Sequence, residues 1–229
     1  MIVEVERGPS PPRIRGVLGT CFALKRPTHV LTAAHCIADV SRAAVGIVLP
    51  THFDRLRSPD EIVRHPNADL ALLRLASIEH DAGTEAFPRV HDRPSAQDFM
   101  AFGYPIGVFA WEASGPPEPR LFKGHFQRFI FPFAPEGSAY SYVAAEMSIP
   151  APVGLSGGPV FHPMVPDLLL GMVTANLSSS IAAGEESVEE TLPDGTIKKT
   201  IYRHVVNYGI ALILNDVAGW LDEHVPSVA

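Results

Sequence analysis

Short apolar runs recur along the chain, and Gly, Pro, Asp and Asn separate them. Runs of this length between turn-forming residues predict β-strands. The predicted strands are 14–24, 28–32, 44–49, 70–75, 98–102, 120–131, 139–147, 159–161, 168–175, 200–206 and 210–214. Many short strands with few helical periods predict an all-β barrel or sandwich.

Only the end of the chain carries a clear helical pattern. Val217, Trp220 and Leu221 fall on one face at a spacing of three to four residues. Either residue of the Asn215-Asp216 pair is expected to cap this helix, because a short polar side chain accepts a hydrogen bond from the first free N–H groups. The helix is expected to end near Pro226.

The least regular stretch is 178–200. Residues 178–180 and 185–190 predict a solvated loop. Segments 188–192 and 196–200 flank a Pro-Asp-Gly turn and predict a protruding hairpin whose Glu and Lys side chains pair across the strands. A solvated ribbon is the simpler interpretation of this hairpin, and a docking element for a partner is the alternative.

Composition narrows the classes of function. The chain has 229 residues, of which 46% are hydrophobic and 19% charged, and its formal net charge is −7. A β-rich chain of this length fits a single domain. Nucleic-acid binding needs clustered Lys and Arg, whereas the most basic stretch here is Lys198-Lys199 with Arg203 nearby, so we expect no nucleic-acid partner.

The sequence shows no export or membrane signal. The stretch from Met1 lacks a basic segment followed by an apolar one, and no segment approaches the roughly 18–20 apolar residues of a membrane helix. If Met1 is the native start, a cytoplasmic protein without a membrane partner is the simplest expectation. In a reducing cytosol Cys21 and Cys36 are expected as two buried thiols, and a disulfide between neighbouring strands is the alternative.

Two local patterns place a candidate base and a candidate orienting acid. In Val30-Leu-Thr-Ala-Ala-His-Cys36, two small residues leave room around His35, whose ordinary pKa of about 6.5 suits proton transfer near neutrality. In the stretch 65–75, Asp69 precedes a strongly apolar strand, where a carboxylate can accept the second imidazole N–H. Taken alone, such a histidine is more often structural and such an aspartate more often forms a turn.

A third pattern, Gly154-Leu-Ser-Gly-Gly-Pro-Val160, is more specific than the other two. Ser156 lies among glycines, which permit unusual backbone angles and a close approach by substrate. The backbone N–H groups of Gly154 and Ser156 are candidates for binding a developing oxyanion. A glycine-rich turn in a β-protein is the alternative.

Together these patterns carry a family resemblance. Thr-Ala-Ala-His-Cys at 32–36, Asp-Leu-Ala-Leu-Leu at 69–73 and Gly-x-Ser-Gly-Gly-Pro at 154–159 resemble the signatures of trypsin-like serine peptidases, in that family's order. Gly-Thr-Cys-Phe-Ala-Leu from residue 19 is similar to an early strand of these peptidases. Phe-Gly-Tyr-Pro from residue 102 resembles a turn of bacterial, HtrA-type relatives rather than digestive trypsins.

The resemblance implies a fold and a boundary. The fold is chymotrypsin-like, with two six-stranded antiparallel β-barrels and a C-terminal helix. The implied N-terminal barrel is 1–92, the C-terminal barrel 93–214 and the helix 215–229, and the polar stretch 91–95 marks the boundary between the barrels.

The resemblance also implies the site. His35, Asp69 and Ser156 are the implied catalytic triad of an endopeptidase that forms an acyl-enzyme, and the N–H groups of Gly154 and Ser156 are the implied oxyanion hole. Thr174 lies where a hydroxyl often supports the triad aspartate, although an ordinary strand threonine fits equally well.

The sequence departs from digestive trypsins before the nucleophile. Those enzymes carry an Asp where this chain has Leu155, and that Asp pairs with a newly cut N-terminal amine. Leucine cannot form this ion pair, so we expect no zymogen cleavage of the digestive kind. The site is then either formed constitutively or organised by substrate, partner or oligomer.

The resemblance assigns six substrate-binding residues: Pro150, Ala151, Val153, Thr174, Ala175 and Asn176. Pro150 replaces the acid of trypsin, so no preference for Lys or Arg is expected. The strand 174–176 is expected to pair with the substrate backbone. Asn176 replaces a glycine and is expected to narrow the entrance. We therefore expect a small or medium apolar P1 residue.

The implied function is hydrolysis of a polypeptide substrate without a cofactor. No His-Glu-x-x-His or Cys-x-x-Cys pair and no Gly-x4-Gly-Lys-Ser/Thr loop occurs, so no metal or nucleotide site is predicted. One alternative is a catalytically latent scaffold of the same fold that needs a partner, against which the intact triad argues. Action on esters or on its own chain is another, and a regulatory protein partner is left open.

Overall fold

The computed structural model describes residues 1–8, 12–49, 52–76, 89–90, 97–105, 118–192 and 196–225. Its strands are β1 Ile2–Glu6, β2 Arg13–Gly19, β3 Phe22–Leu24, β4 Arg26–Thr32, β5 Val45–Leu49, β6 His52–Arg57, β7 Glu61–Arg64, β8 Ala71–Arg74, β9 Arg89–Val90, β10 Asp98–Gly103, β11 Arg120–Phe133, β12 Tyr142–Met147, β13 Pro159–His162, β14 Val165–Thr191 and β15 Ile197–Ile213. Within the described residues the α-helix is α1 Ala218–His224, and 3₁₀ turns lie at Ala34–Ile37, Arg42–Ala44 and Leu214–Val217.

The N-terminal half forms two four-stranded antiparallel sheets, β2-β1-β5-β6 and β3-β4-β8-β7. Strands β2 and β3 are two halves of one segment that bends at Thr20-Cys21, and β6 and β7 are separated by three residues. When each of these pairs is taken as one bent strand, the two sheets join into a ring of six strands. The bends turn the strands from one sheet into the next, which is how a small barrel closes.

The C-terminal half is a closed barrel. Its strand order is β13-β10-β11-β12-β15-β14, and β14 pairs in turn with β13, so the ring of six has no free edge. Strand β9 adds to β14 in parallel. The all-β double barrel expected from the sequence is therefore confirmed, as is the C-terminal helix. The expected boundary at 91–95 lies outside the described residues.

Apolar packing joins the two halves. One buried cluster contains Leu31 and Leu72 of the N-terminal barrel, Leu212 of β15 and Leu221 of α1. A second cluster fills the C-terminal barrel and includes Leu155, which precedes the candidate nucleophile. The helix thus covers a core that continues from one barrel into the other. None of the described helices has the length and apolar character needed to cross a membrane.

Two local expectations were wrong. Asn215 and Asp216 lie inside the 3₁₀ turn, and the residue that caps α1 is Val217, which makes no side-chain capping bond. Residues 178–180 and 185–190, expected as a loop, belong to β14, which pairs with β15 as far as Thr191. Cross-strand pairing along the ribbon thus outweighs the low β-propensity of its Ser and Glu residues.

Candidate active site

His35 lies in the 3₁₀ turn that follows β4. The turn spans Ala34–Ile37, and Ala33 and Ala34, which precede His35, are completely buried. Because these two side chains are small, the turn packs closely against the core and leaves the imidazole at the surface of the cleft. The His35 side chain is 45% exposed.

Asp69 holds His35 at two points. Its Oδ2 lies 2.6 Å from His35 Nδ1, and its Oδ1 accepts a hydrogen bond of 2.9 Å from the backbone N–H of His35. The carboxylate itself is buried. Two bonds from one residue fix both the position and the tilt of the imidazole and place its proton on Nδ1, so that Nε2 remains available to act as a base.

The pKa of His35 is shifted by opposing effects. Burial of the imidazole lowers it, but the hydrogen bond and charge of Asp69 and the neighbouring Cys36 raise it by more, so the pKa lies above its ordinary value of 6.5. This direction is expected when a buried carboxylate stabilises an imidazolium.

The turn that leads to Asp69 is shaped by His65, a residue for which the sequence analysis assigned no role. His65 Nδ1 accepts hydrogen bonds from the N–H groups of Asn67 (3.1 Å) and Ala68 (2.8 Å). Burial lowers the pKa of His65, which favours the neutral ring that these bonds require. Trp220 of α1 packs against the same ring at 5.3 Å between centroids. The helix therefore supports the turn that positions Asp69.

Ser156 lies in a tight turn between β12 and β13. The N–H of Leu155 bonds to Pro152 O at 3.0 Å and the N–H of Gly158 bonds to Leu155 O at 2.8 Å. Gly154 has φ +92° and Gly157 has φ +81°, a region that L-residues other than glycine rarely adopt. Within the described part of the chain, neither the Gly154 N–H nor the Ser156 N–H donates to a protein acceptor.

Thr20 joins this turn to the N-terminal barrel. Its N–H donates to Ser156 O at 2.8 Å, and its hydroxyl donates to Gly154 O at 2.7 Å and accepts from the N–H of Tyr104 at 3.0 Å. Its carbonyl accepts from the hydroxyl of Thr32 at 2.9 Å. Thr20 is completely buried. No sequence motif indicates this role, because three of the four contacts depend on how the barrels meet.

A buried apolar side chain also holds the turn around Ser156. Leu155 is completely buried in the core of the C-terminal barrel. A Cβ at Gly103 would lie 2.6 Å from Leu155 Cδ1, so the glycine makes room for this side chain. A buried leucine therefore lies at the position where digestive trypsins carry the Asp of an ion pair.

One open cleft of about 390 Å³ brings most of the predicted site residues together. Its described lining consists of Leu18, His35, Cys36, Ala151, Val153, Gly154, Ser156, Thr174, Ala175 and Asn176. Asp69 lies behind His35, away from this lining. Pro150 is exposed and is not part of the lining, so among the six expected substrate-binding residues it alone stands apart.

Asn176 bridges the two walls of the cleft. Its Oδ1 accepts a hydrogen bond of 2.7 Å from the N–H of Ala151, and its Nδ2 donates to the carbonyl of the same residue. Below this bridge the N–H of Gly209 bonds to Ile149 O at 2.6 Å. The side chain of Asn176 therefore ties the β14 wall of the cleft to the wall that contains Ala151.

Thr174 is bonded to neighbours other than Asp69. Its hydroxyl donates to Ile210 O at 3.3 Å and accepts from the hydroxyl of Tyr142 at 3.0 Å. All of these polar atoms are buried. Of the two interpretations of Thr174, a support for the triad aspartate or an ordinary strand threonine, these contacts fit the second.

The cysteines are both free thiols. Cys36 is buried, with its Sγ 3.7 Å from His35 Nε2 and 3.7 Å from Ser156 O, while Cys21 is half-buried. Among the described residues, no group of three His, Cys, Asp or Glu side chains is arranged to hold a metal ion.

Comparison with known proteins identifies the family. A model of the trypsin-like peptidase domain matches residues 19–164, which is more than half of the chain. No curated protein matches the sequence. The active form of the Rv3671c protease from M. tuberculosis is 18% identical, with a TM-score of 0.61 over 100% of this chain and 80% of that one. Its inactive form is 18% identical, with a TM-score of 0.58 over 97% and 87%.

A second kind of protease has the same fold. A variant of the HtrA-type protease AlgW with a tripeptide is 16% identical, with a TM-score of 0.55 over 98% of this chain and 59% of that one. At such identities the solved structures show a shared fold, and the family model adds the sequence match. This protein belongs to the trypsin-like peptidase family.

Proposed function

We propose that this protein is a serine endopeptidase with Ser156 as nucleophile, His35 as general base and Asp69 as the acid that orients it. The observation that carries the proposal is the cleft itself. Ser156 of one barrel and His35 of the other both line it, and a buried carboxylate accepts two hydrogen bonds from His35. A tethered base beside a hydroxyl is what nucleophilic catalysis by serine requires.

The proposed reaction proceeds in two halves. Ser156 Oγ attacks the peptide carbonyl while His35 Nε2 takes its proton, and the oxyanion is stabilised by the N–H groups of Gly154 and Ser156. The C–N bond then breaks, His35 protonates the leaving amine, and the acyl group stays on Ser156. Water, activated by the same imidazole, hydrolyses this ester. Asp69 accepts the Nδ1–H throughout, and no step requires a metal or cofactor.

The oxyanion turn needs no ion pair for its support. Thr20 fixes the carbonyls of Gly154 and Ser156, and Leu155 is buried beneath them. These contacts are internal to the folded chain, so we propose that the site forms without zymogen cleavage of the digestive kind.

The bridged cleft supports a preference for a small apolar P1 residue. The side chain of Asn176 occupies the width between the walls, and no carboxylate lines the described part of the cleft for a basic P1 residue. Substitution Asn176→Gly should open the cleft and extend the P1 preference toward Leu and Phe by roughly tenfold, since filling a pocket with one or two more methylenes is worth about 1–3 kcal/mol. A peptide-library profile dominated by Arg or Lys would contradict this assignment.

Hydrolysis of short peptides tests the proposal itself. Ser156→Ala should remove turnover, whereas the matched variant Ser187→Ala, at an exposed serine of β14, should retain it. Because His35 must be unprotonated to act as a base and its pKa is raised, kcat/KM should increase with pH through a midpoint above 6.5. Asp69→Asn should lower that midpoint, because burial still lowers the pKa of His35 while the carboxylate that raises it is gone. Turnover that survives in Ser156→Ala would refute the assignment.

A further inference from the structure

Strand β14 passes through the candidate active site and continues far beyond it. Its first part pairs with β13 as far as Met172, its middle residues Thr174 and Asn176 line the cleft, and its last part runs to Thr191 against β15. The same strand that borders the nucleophile thus becomes one side of a two-stranded ribbon. We call residues 177–191 of β14 and 197–208 of β15 the distal ribbon.

Along the ribbon, one edge of β14 has no strand beside it among the residues that the structure describes. β15 occupies one edge, and on the opposite edge the pairing with β13 ends at Met172. Beyond that point, no strand in the described part of the chain pairs with this edge. An edge strand presents unpaired N–H and C=O groups that an extended peptide can bind by β-augmentation. This edge begins in the cleft, so an occupant of the cleft has direct access to it.

The distal ribbon also exposes apolar side chains. Val188, Ile197, Ile201 and Tyr202 are each about half exposed or more, on a ribbon that has two strands only. A two-stranded hairpin is marginally stable in water, and a third strand would cover part of this apolar surface.

Charge distinguishes the two strands of the ribbon. Glu186, Glu189 and Glu190 lie on β14, while Lys198 and Lys199 lie opposite on β15. The open edge therefore belongs to the acidic strand, and the far edge belongs to the basic one. A peptide that added to the open edge would have glutamates as its nearest charged neighbours, which favours Lys and Arg on that peptide.

We propose that the open edge of β14 beyond Asn176 binds the part of the polypeptide substrate that lies N-terminal to the scissile bond, as an added antiparallel strand with basic side chains near the ribbon's glutamates. This inference rests on the proposed function, since it extends the same cleft. Glu186 lies ten positions after Asn176 on the strand, which at about 3.3 Å per position is roughly 30 Å. Register shifts at 178–184 add unpaired residues on β14. The glutamates therefore face substrate positions roughly ten to fifteen residues before the cleaved bond.

A series of peptides tests the inference. The parent is a short fluorogenic peptide with alanine at P1. It is compared with versions that carry a fifteen-residue extension on the N-terminal side with Lys at alternate positions, the same extension with Glu, and the Lys extension on the C-terminal side. The N-terminal Lys extension should raise kcat/KM by roughly tenfold, because several cross-strand pairs contribute, and mainly through KM. The C-terminal extension should leave kcat/KM unchanged.

A shortened protein supplies the control. Glu185 and Arg203 face each other in register, so an Asn-Gly turn can join them and remove 186–202. This variant should hydrolyse the short parent peptide as the wild type does and lose the gain from the N-terminal extension. The triple variant Glu186→Gln, Glu189→Gln, Glu190→Gln should lose only the advantage of Lys over Glu, and Lys198→Gln with Lys199→Gln should retain it.

The outcomes separate the two proposals. If the wild type does not hydrolyse the short parent peptide, the peptidase assignment is refuted. If N-terminal and C-terminal extensions have equal effects on kcat/KM, the proposed binding edge is refuted. Equal turnover of the extended peptide by the wild-type and shortened proteins would also refute it. A drop in molar mass by light scattering when the ribbon is removed would assign the edge to a second copy of the chain and overturn the proposal.

Discussion

The turn around Ser156 and the distal ribbon lie in the same barrel but are held in opposite ways. The turn is bonded to residues distant in sequence, through Thr20 of the other barrel and Val173 of β14, and Leu155 is buried beneath it. The ribbon is held by pairing between β14 and β15, and most of those of its side chains that the structure describes are exposed. A nucleophile must be placed to within a fraction of an ångström, which long-range contacts achieve. A binding edge needs only an extended backbone.

The largest difference between the two regions should follow a change at Gly157. A Cβ at this position would overlap with the carbonyl of Thr20 and the hydroxyl of Thr32, and φ is positive there. Gly157→Ala should destabilise the protein by roughly 3 kcal/mol or more, from backbone strain together with overpacking. Chemical denaturation measures the change.

The matched control is Gly137→Ala, which also has positive φ but has no atom within 4 Å of an added Cβ. Its cost should be only the backbone strain, about 1 kcal/mol. Equal losses for the two variants would mean that contact with the N-terminal barrel contributes nothing at Gly157.

A smaller effect is expected from Thr20→Val, which keeps the shape of the side chain and removes its hydroxyl. Gly154 O and the N–H of Tyr104 then lose their partner in a buried place. Each such loss costs about 1–3 kcal/mol, so the free energy of unfolding should fall by roughly 2–6 kcal/mol. Turnover should fall as well, since the oxyanion turn loses its attachment.

Thr191→Val, at an exposed threonine of the ribbon, is the control for Thr20→Val and should change neither stability nor turnover of a short peptide. If both threonine variants behave alike, the attachment of the turn to the N-terminal barrel would have no energetic role.

The smallest effect is expected within the ribbon. Glu189 and Lys199 form an exposed ion pair at 3.5 Å. Glu189→Gln should lower the free energy of unfolding by about 0.2–1 kcal/mol, because solvent and salt screen such a pair, and the loss should disappear in high salt. A larger loss that persists in high salt would show that the ribbon is held by more than its surface pairs.

The two regions also differ in what the sequence predicts about them. Cross-strand pairing of Glu and Lys in the ribbon followed from its pattern, and the structure extends that hairpin back along β14. The length of the strand was missed because Ser178–Ser180 and the glutamates have low β-propensity. The extended strand is set by its partner rather than by its own residues.

The site shows the reverse pattern. The motifs at His35 and Ser156 are local in sequence, and both residues line one cleft, while Asp69 of the third motif is bonded to His35. Thr20, His65 and the bridge from Asn176 to Ala151 could not be found in that way, because each joins segments that meet only in the folded protein. The predicted cap of α1 at Asn215 or Asp216 was wrong for a related reason, because both residues lie within the 3₁₀ turn before the helix.

Intact-mass labelling with a fluorophosphonate tests whether Ser156 is an activated nucleophile, because the reagent phosphonylates a serine only when base and oxyanion hole are in place. One adduct is expected on the wild type and on Ser187→Ala, and none on Ser156→Ala. No adduct on the wild type, or an adduct that persists on Ser156→Ala, would contradict the assignment of Ser156 as the nucleophile of a formed active site.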